Sequence, residues 1–222
     1  MLETLSTQLA QAGLWDWIAL LASLAYVLLA ARSNNWCWLF AAIGTTVWAY
    51  QSYFVYNLVS DALLQVFYLI MAGVGLWQWR SGTASRELPV TTDVLDSPDH
   101  QSPKYYTGQL PVTTFTPTQH LLFILFCGTC GLALGYFFDS TLQAAATYPD
   151  AVTTAFSVGT TFLLVRRKLE NWLYWVVIDA VYVWIYLGQE ALLFAVMMVI
   201  NIVVAVYGYA NWRQERKANT LF

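Results

Sequence analysis

The chain has 222 residues, of which 59% are hydrophobic and 10% are charged, and its formal net charge is −3 at pH 7. Soluble domains carry about 25% charged residues, and a soluble fold of this size cannot bury so large an excess of apolar surface. The composition therefore excludes a disordered chain and a basic nucleic-acid-binding protein. The three cysteines lie in apolar runs and argue against a disulfide scaffold. What remains is an integral membrane protein.

Seven apolar segments are candidates for membrane-spanning helices, which need about 20 mostly apolar residues each. The fifth is short. In chain order they are predicted at Trp15–Ala31, Trp36–Val55, Leu58–Trp79, His120–Phe138, Ala151–Val165, Trp172–Leu187 and Ala191–Trp212. Between the third and fourth segments, residues 81–118 are rich in Pro, Ser, Thr and Asp, which predicts a flexible aqueous loop.

All ten basic residues fall on one side of this arrangement. They follow the first, third, fifth and seventh segments, as Arg32, then Arg80, Arg86 and Lys104, then Arg166, Arg167 and Lys168, and finally Arg213, Arg216 and Lys217. The other side carries only acidic residues, among them Glu3, Asp61, Asp139, Asp150 and Glu190. The positive-inside rule therefore predicts an external N-terminus and a cytoplasmic C-terminus.

The chain also repeats itself. Asn35-Trp36 opens the second segment as Asn171-Trp172 opens the sixth. Trp48-Ala-Tyr50 has its match in Trp184-Ile-Tyr186 at the same interval. The third and seventh segments both close with Gly-x-x-x-Trp-Arg, which begins at Gly75 and at Gly208, a slightly shorter interval.

We therefore expect an all-α integral membrane protein with seven transmembrane helices in a 3+1+3 arrangement. Two three-helix repeats are joined by a linker helix. Without this helix the second repeat would cross the membrane in the opposite direction, so the linker makes the two repeats parallel. The predicted boundaries are 1–80 for the first repeat, 81–118 for a cytoplasmic loop, 119–150 for the linker helix and an outer loop, 151–212 for the second repeat, and 213–222 for a cytoplasmic tail. Parallel repeats are a transporter architecture with the substrate site at the repeat interface. A receptor or a lipid-modifying enzyme is the alternative.

Asp179 is the one ionisable residue that lies clearly in the middle of a predicted span. Such residues are costly in a membrane and mark functional sites. Trp172, Trp175, Tyr182 and Tyr186 share its helical face, at spacings of three to four residues. An aromatic stripe around one carboxylate suits a flat cationic ligand. Trp172 and Tyr186 also suit the membrane interface, so Trp175 and Tyr182 are the stronger candidates.

Other polar and aromatic side chains complete the candidate substrate site. Gln65 and Asn201 are buried amides that either read a ligand or join two helices. Tyr68 shares the face of Gln65, and Trp48 and Tyr50 are the remaining candidates.

Several functions lack the residues they need. No mid-span Lys is present for retinal, and the chain has neither an HExxH motif nor a phosphate-binding Gly loop. We expect no enzymatic activity, no cofactor and no metal site. One intramembrane carboxylate favours facilitated diffusion over ion-coupled transport.

The segment Glu170-Asn-Trp-Leu-Tyr-Trp175, its half-repeat Asn35-Trp36, Leu63-Leu-Gln65-Val-Phe and the closing Gly-x-x-x-Trp-Arg together resemble the PnuC family of bacterial vitamin transporters. The resemblance implies a SWEET-like fold in the inner membrane and uniport of a B-vitamin precursor, which a separate cytoplasmic kinase then traps by phosphorylation. It also implies a homotrimer. Trp172, Trp175, Asp179 and Gln65 match positions that line the substrate path of the family.

Members of the family differ in substrate. The type that carries nicotinamide riboside tends to have Asn where this chain has Asp179, and Asn near Ala72 and Tyr207. Three missing amides favour thiamin, whose aminopyrimidine and thiazolium suit a carboxylate. Nicotinamide riboside is the alternative substrate, and a non-transporting seven-helix receptor is the alternative class.

Overall fold

The computed structural model describes Ala10 and residues 13–55, 59–84, 110–142, 147–189 and 191–220. These residues form α1 (Leu14–Ala31), α2 (Cys37–Tyr50), α3 (Val59–Ala84), α4 (Pro117–Leu142), α5 (Thr147–Val165), α6 (Asn171–Gly188) and α7 (Leu192–Thr220). A π-helical turn, Gln51–Val55, continues α2. Each predicted span coincides with one helix, so the all-α prediction with seven helices is confirmed. Glu3, Arg86, Lys104 and Glu190 lie outside the described residues.

Four of these helices contain a stretch that is long and apolar enough to cross a membrane, at Leu14–Ala31, Ala62–Ser81, Pro117–Ser140 and Leu192–Ala218. The other three helices are shorter or less apolar. α2 has 14 residues before its π-helical turn. α5 is rich in Thr, and α6 carries Asp179 among several Trp and Tyr residues.

Six of the helices form a closed ring. α1, α2 and α3 pack side by side in that order, and so do α5, α6 and α7. The two halves join where α1 packs on α7 and where α3 packs on α5. This pattern is unchanged when the two three-helix groups are exchanged, as parallel repeats require. α4 packs on the outside of α5, where a linker helix belongs.

At one end of the ring, two similar hydrogen bonds join the repeats. The indole N–H of Trp79 in α3 donates to the carbonyl of Val165, the last residue of α5, over 3.1 Å. Trp212 in α7 donates in the same way to Ala30 at the end of α1, also over 3.1 Å. The ends of α1, α3, α5 and α7 therefore meet. Because basic residues follow these four helices, we call this the basic end.

The turns that follow α1 and α5 define the register of the repeat. Ser33 and Arg167 both have left-handed backbone, with φ of 56° and 50°. The amide of Asn34 donates to Leu29 over 2.9 Å, and that of Lys168 donates to Leu163 over 2.8 Å. Ser33 and Arg167 are therefore equivalent, and their separation is the repeat interval at this turn and in the helix that follows it, one residue longer than the interval from Trp79 to Trp212.

The interval predicted from the two Asn-Trp pairs is therefore wrong, because it is longer than the separation of Ser33 and Arg167. Trp38, not Trp36, is the counterpart of Trp172, and each packs on a glycine that lets the two helices approach closely: Trp38 on Gly75 and Trp172 on Gly208. Trp36 is exposed. The two Asn-Trp pairs are not equivalent, because only a Trp that faces the inside of the six-helix ring can pack on these glycines.

These glycines give a stability prediction. A Cβ at Gly75 would lie 2.4 Å from the Trp38 ring, and one at Gly208 would lie 2.7 Å from the Trp172 ring. We expect Gly75→Ala and Gly208→Ala each to lower the thermal unfolding midpoint in detergent, with a loss of about 1–3 kcal/mol from overpacking.

Gly73→Ala is the matched control, because nothing lies within 4 Å of its Cβ position on the same helix. It should leave the midpoint unchanged or raise it, because Ala is favoured over Gly inside a helix. A midpoint for Gly208→Ala equal to that of Gly73→Ala would contradict the packing described.

Candidate substrate-binding site

A cavity of about 360 Å³ lies at the centre of the ring. Small-molecule sites commonly have volumes of about 300–1,000 Å³ and combine apolar walls with a few polar groups. Each of the six ring helices contributes side chains to the lining, which is mainly aromatic and aliphatic. The cavity therefore lies between the two repeats, as the architecture predicts for a substrate site.

Eight of the nine candidate residues line this cavity. They are Trp48, Gln65, Tyr68, Trp172, Trp175, Asp179, Tyr182 and Asn201. Tyr50 does not: its side chain is 56% exposed and its ring lies 5.0 Å from that of Phe54 on the outer surface. Tyr50 was paired with Tyr186 through the wrong interval. At the interval that separates Ser33 from Arg167, its counterpart is Trp184, which is also exposed.

The aromatic stripe of α6 faces the cavity along its whole length. Trp172, buried against Gly208, lies at the basic end of the lining. Tyr182 and Tyr186, further along, stack with an interplanar angle of 17° and a centroid distance of 5.7 Å. Tyr186 was predicted to share this face, and its place in the lining adds it to the candidate site.

Asp179 lies between these aromatic groups. Its side chain is 5% exposed and lines the cavity. Within the described part of the chain it has no hydrogen-bond or ion-pair partner, and it is the one charged residue in the lining. An unpaired carboxylate in such a place is costly unless a ligand or water matches it. A group that is cationic or rich in hydrogen-bond donors would match this carboxylate.

The two amides approach from the helices opposite. Gln65 in α3 and Asn201 in α7 are half-buried and line the cavity. Neither forms a hydrogen bond with another described residue, so the alternative in which they join two helices has no support here. Both can donate and accept, and both are available to a ligand.

Hydroxyl groups were missed by the sequence analysis. Thr45, Ser157 and Thr161 line the cavity. Their hydroxyls donate to backbone carbonyls of their own helices, at 2.8 Å for Thr45 and Ser157 and 2.9 Å for Thr161. A hydroxyl whose proton is used in this way can still accept a hydrogen bond, and that of Ser157 also interacts with the Tyr182 side chain. The recurrence of Ser and Thr in α5 at steps of four residues was the available signal.

Comparison with known proteins agrees with this geometry. A sequence profile of the family described as nicotinamide mononucleotide transporter matches residues 13–214. The chain belongs to this family. It is a multi-pass membrane transporter rather than an enzyme, and the resemblance to PnuC is confirmed. A receptor that does not transport is not supported.

Two relatives of this transporter family are informative. The nicotinamide riboside transporter PnuC of Neisseria mucosa is 24% identical over 215 residues, which cover 92% of this chain and 75% of the relative. A crystal structure described as the vitamin B3 transporter PnuC superposes with a TM-score of 0.67 at 21% identity, over 90% of this chain and 81% of the other. That likeness establishes the transporter fold.

The unpaired acid in this transporter makes a test possible without any ligand. We expect Asp179→Asn to raise the thermal unfolding midpoint of the ligand-free protein, because a neutral side chain of the same shape replaces an unpaired buried acid.

Asp16 is the matched control. Its carboxylate accepts from the Gly13 amide at 2.8 Å and from the Gln51 side-chain amide at 2.7 Å, so Asp16→Asn should lower the midpoint by the equivalent of about 1 kcal/mol. A lower midpoint for Asp179→Asn would show that its carboxylate is paired in the resting protein.

Proposed function

We propose that this transporter imports a flat heteroaromatic cation derived from a vitamin, with nicotinamide riboside as the first candidate. The observation that carries the proposal is the unpaired Asp179 carboxylate among the aromatic rings of the cavity. A pyridinium ring can stack on these rings and receive electrostatic stabilisation from the acid, with about 0.5–2 kcal/mol for each cation–π contact.

The lining supports a riboside over a mononucleotide. A phosphate group needs Arg, Lys or helix N-termini to neutralise it, and the described lining contains no basic residue. Gln65 and Asn201 can read a carboxamide, while the hydroxyls of Ser157 and Thr161 can meet those of a ribose. The name of the Neisseria mucosa relative points to the same compound.

Thiamin is the second candidate, and Asp179 is the observation that favours it. An aminopyrimidine donates hydrogen bonds to a carboxylate, and a thiazolium is a cation. The absence of three Asn residues typical of riboside transporters is weaker support for thiamin than the sequence suggests. Ala72 lines the cavity, but Tyr207 is 45% exposed and lies outside the lining. An amide at position 207 itself would not face the cavity, whereas the nearby Ala205 does line it.

The transport mode proposed is facilitated diffusion across the bacterial inner membrane, with the basic end in the cytoplasm. One carboxylate in the described lining offers no second site for a coupling ion. Net uptake then depends on removal of the substrate inside the cell, for which a separate kinase that phosphorylates it is the proposed partner. The homotrimer also stays a proposal.

Calorimetric titration of the purified protein in detergent tests the choice of substrate. We expect nicotinamide riboside to bind, and nicotinamide mononucleotide to bind at least tenfold more weakly, because its phosphate has no cation to meet and lies near Asp179. Tight binding of thiamin alone would reverse the order of the two candidates. Binding of none of the three would contradict the proposed substrate class.

A pair of Trp variants on one helix tests the aromatic stripe. Trp175 lines the cavity, whereas Trp184 on the same helix is 67% exposed. We expect Trp175→Ala to weaken binding of the riboside by about tenfold or more, because it removes a stacking and cation–π partner. Trp184→Ala should leave affinity unchanged. Equal effects from the two variants would remove the stripe from the site.

A further inference from the structure

Arg167, one of the basic residues that follow the fifth predicted segment, is not exposed to solvent. It lies in the turn between α5 and α6, and its side chain is completely buried. Its guanidinium lies 5.1 Å from the ring centroids of both Trp79 and Trp212. These two Trp residues are equivalent in the repeat, so the cation is held between the two halves of the ring.

The guanidinium also binds one acid, one hydroxyl and, through Nη1, the Leu110 backbone carbonyl at 2.8 Å. Its Nη2 lies 2.7 Å from the carboxylate of Glu215 in α7 and donates to the Ser33 hydroxyl at 2.6 Å. The Ser33 hydroxyl in turn donates to Glu215 over 2.6 Å. Ser33 is the counterpart of Arg167 in the other repeat. The triad of Arg167, Glu215 and Ser33 therefore joins the two repeats where their equivalent turns meet.

A layer of four Trp side chains separates this triad from the cavity. Trp38 packs on Trp79 at 5.2 Å, Trp79 on Trp212 at 5.9 Å, and Trp212 on Trp172 at 5.3 Å between ring centroids. All four are at most 2% exposed. Trp38 and Trp172 also line the cavity. The layer is thus the floor of the cavity at the basic end.

Hydrogen bonds between the repeats concentrate at this floor. Two are the bonds that Trp79 and Trp212 donate, and a third runs from the Asn211 side chain to the Ala31 carbonyl over 2.9 Å. Two more involve Ser33. A solute that leaves the cavity at this end must part these bonds and the four rings.

We propose that the triad of Arg167, Glu215 and Ser33 is the cytoplasmic gate of the transport path, with the Trp layer as its plug. The inference rests on the proposed transport function and adds the residues that hold one exit closed. This ion pair suits such a gate, because the hydration that the fully buried Arg167 regains on opening offsets the attraction that it loses. A purely apolar contact would gain no favourable hydration when the gate opens.

A native cysteine reports whether this end opens. Cys37, the first residue of α2, is fully buried in the same cluster as the four Trp residues. We would replace Cys127 and Cys130 by Ala, which leaves Cys37 as the one thiol of the chain. The rate at which a membrane-impermeant maleimide labels it would be measured in inside-out and right-side-out vesicles.

Weakening this gate should speed labelling from the cytoplasmic side only. We expect Ser33→Ala and Glu215→Gln each to raise the rate in inside-out vesicles by about tenfold, since a lost hydrogen bond to a charged group shifts an equilibrium by that order. Arg213→Gln is the matched control, because Arg213 lies exposed on the same helix as Glu215 and should leave the rate unchanged.

A second single-thiol protein separates gate opening from loss of the fold. With Cys127 kept and Cys37 and Cys130 replaced by Ala, labelling of this buried thiol in α4 should stay slow in both gate variants. If the wild type takes up the riboside but neither variant changes the labelling of Cys37, the proposed gate is wrong and the proposed transport function stands. Absence of uptake by the wild type would contradict the proposed function, whatever the labelling shows.

Discussion

The architecture depends on hydrogen bonds that cross between the repeats. In each, an indole group of one repeat donates to a helix end of the other. The last carbonyls of a helix have no partner within it, and in a membrane a buried polar group must find one inside the protein. Trp79 donates to the carbonyl of Val165, the last residue of α5, and Trp212 donates to that of Ala30 near the end of α1, which also accepts from the Ser33 amide. These two bonds close the six-helix ring and place four helix ends together.

A ring with equivalent halves encloses a cavity with unequal walls. At the repeat interval that relates Ser33 to Arg167, Ala41 of α2 corresponds to Trp175 of α6, and Thr45 corresponds to Asp179. These last four residues all line the cavity. The first repeat thus offers small and neutral groups where the second offers a ring and a charge. The flat cation that we propose therefore binds against α6, and its other groups face the amides and hydroxyls.

Sequence alone predicts the helices well because their signals are local. Apolar length gives the seven helices, the basic residues give the common end, and the spacing of Trp175, Asp179 and Tyr182 gives one helix face. The register of the repeat was missed, since it depends on which Trp meets a glycine of another helix. The burial of Arg167 was missed for a similar reason: its partners Ser33 and Glu215 lie far from it along the chain, and no local pattern brings them together.

The most direct test of the central claim is counterflow in proteoliposomes loaded with unlabelled nicotinamide riboside. Labelled riboside is added outside, without ATP and without an ion gradient. The account predicts transient accumulation of label by the wild type and a strong loss of that accumulation in Asp179→Asn. Accumulation that requires an imposed ion gradient, or that persists undiminished in Asp179→Asn, would contradict facilitated diffusion of a cation through this cavity.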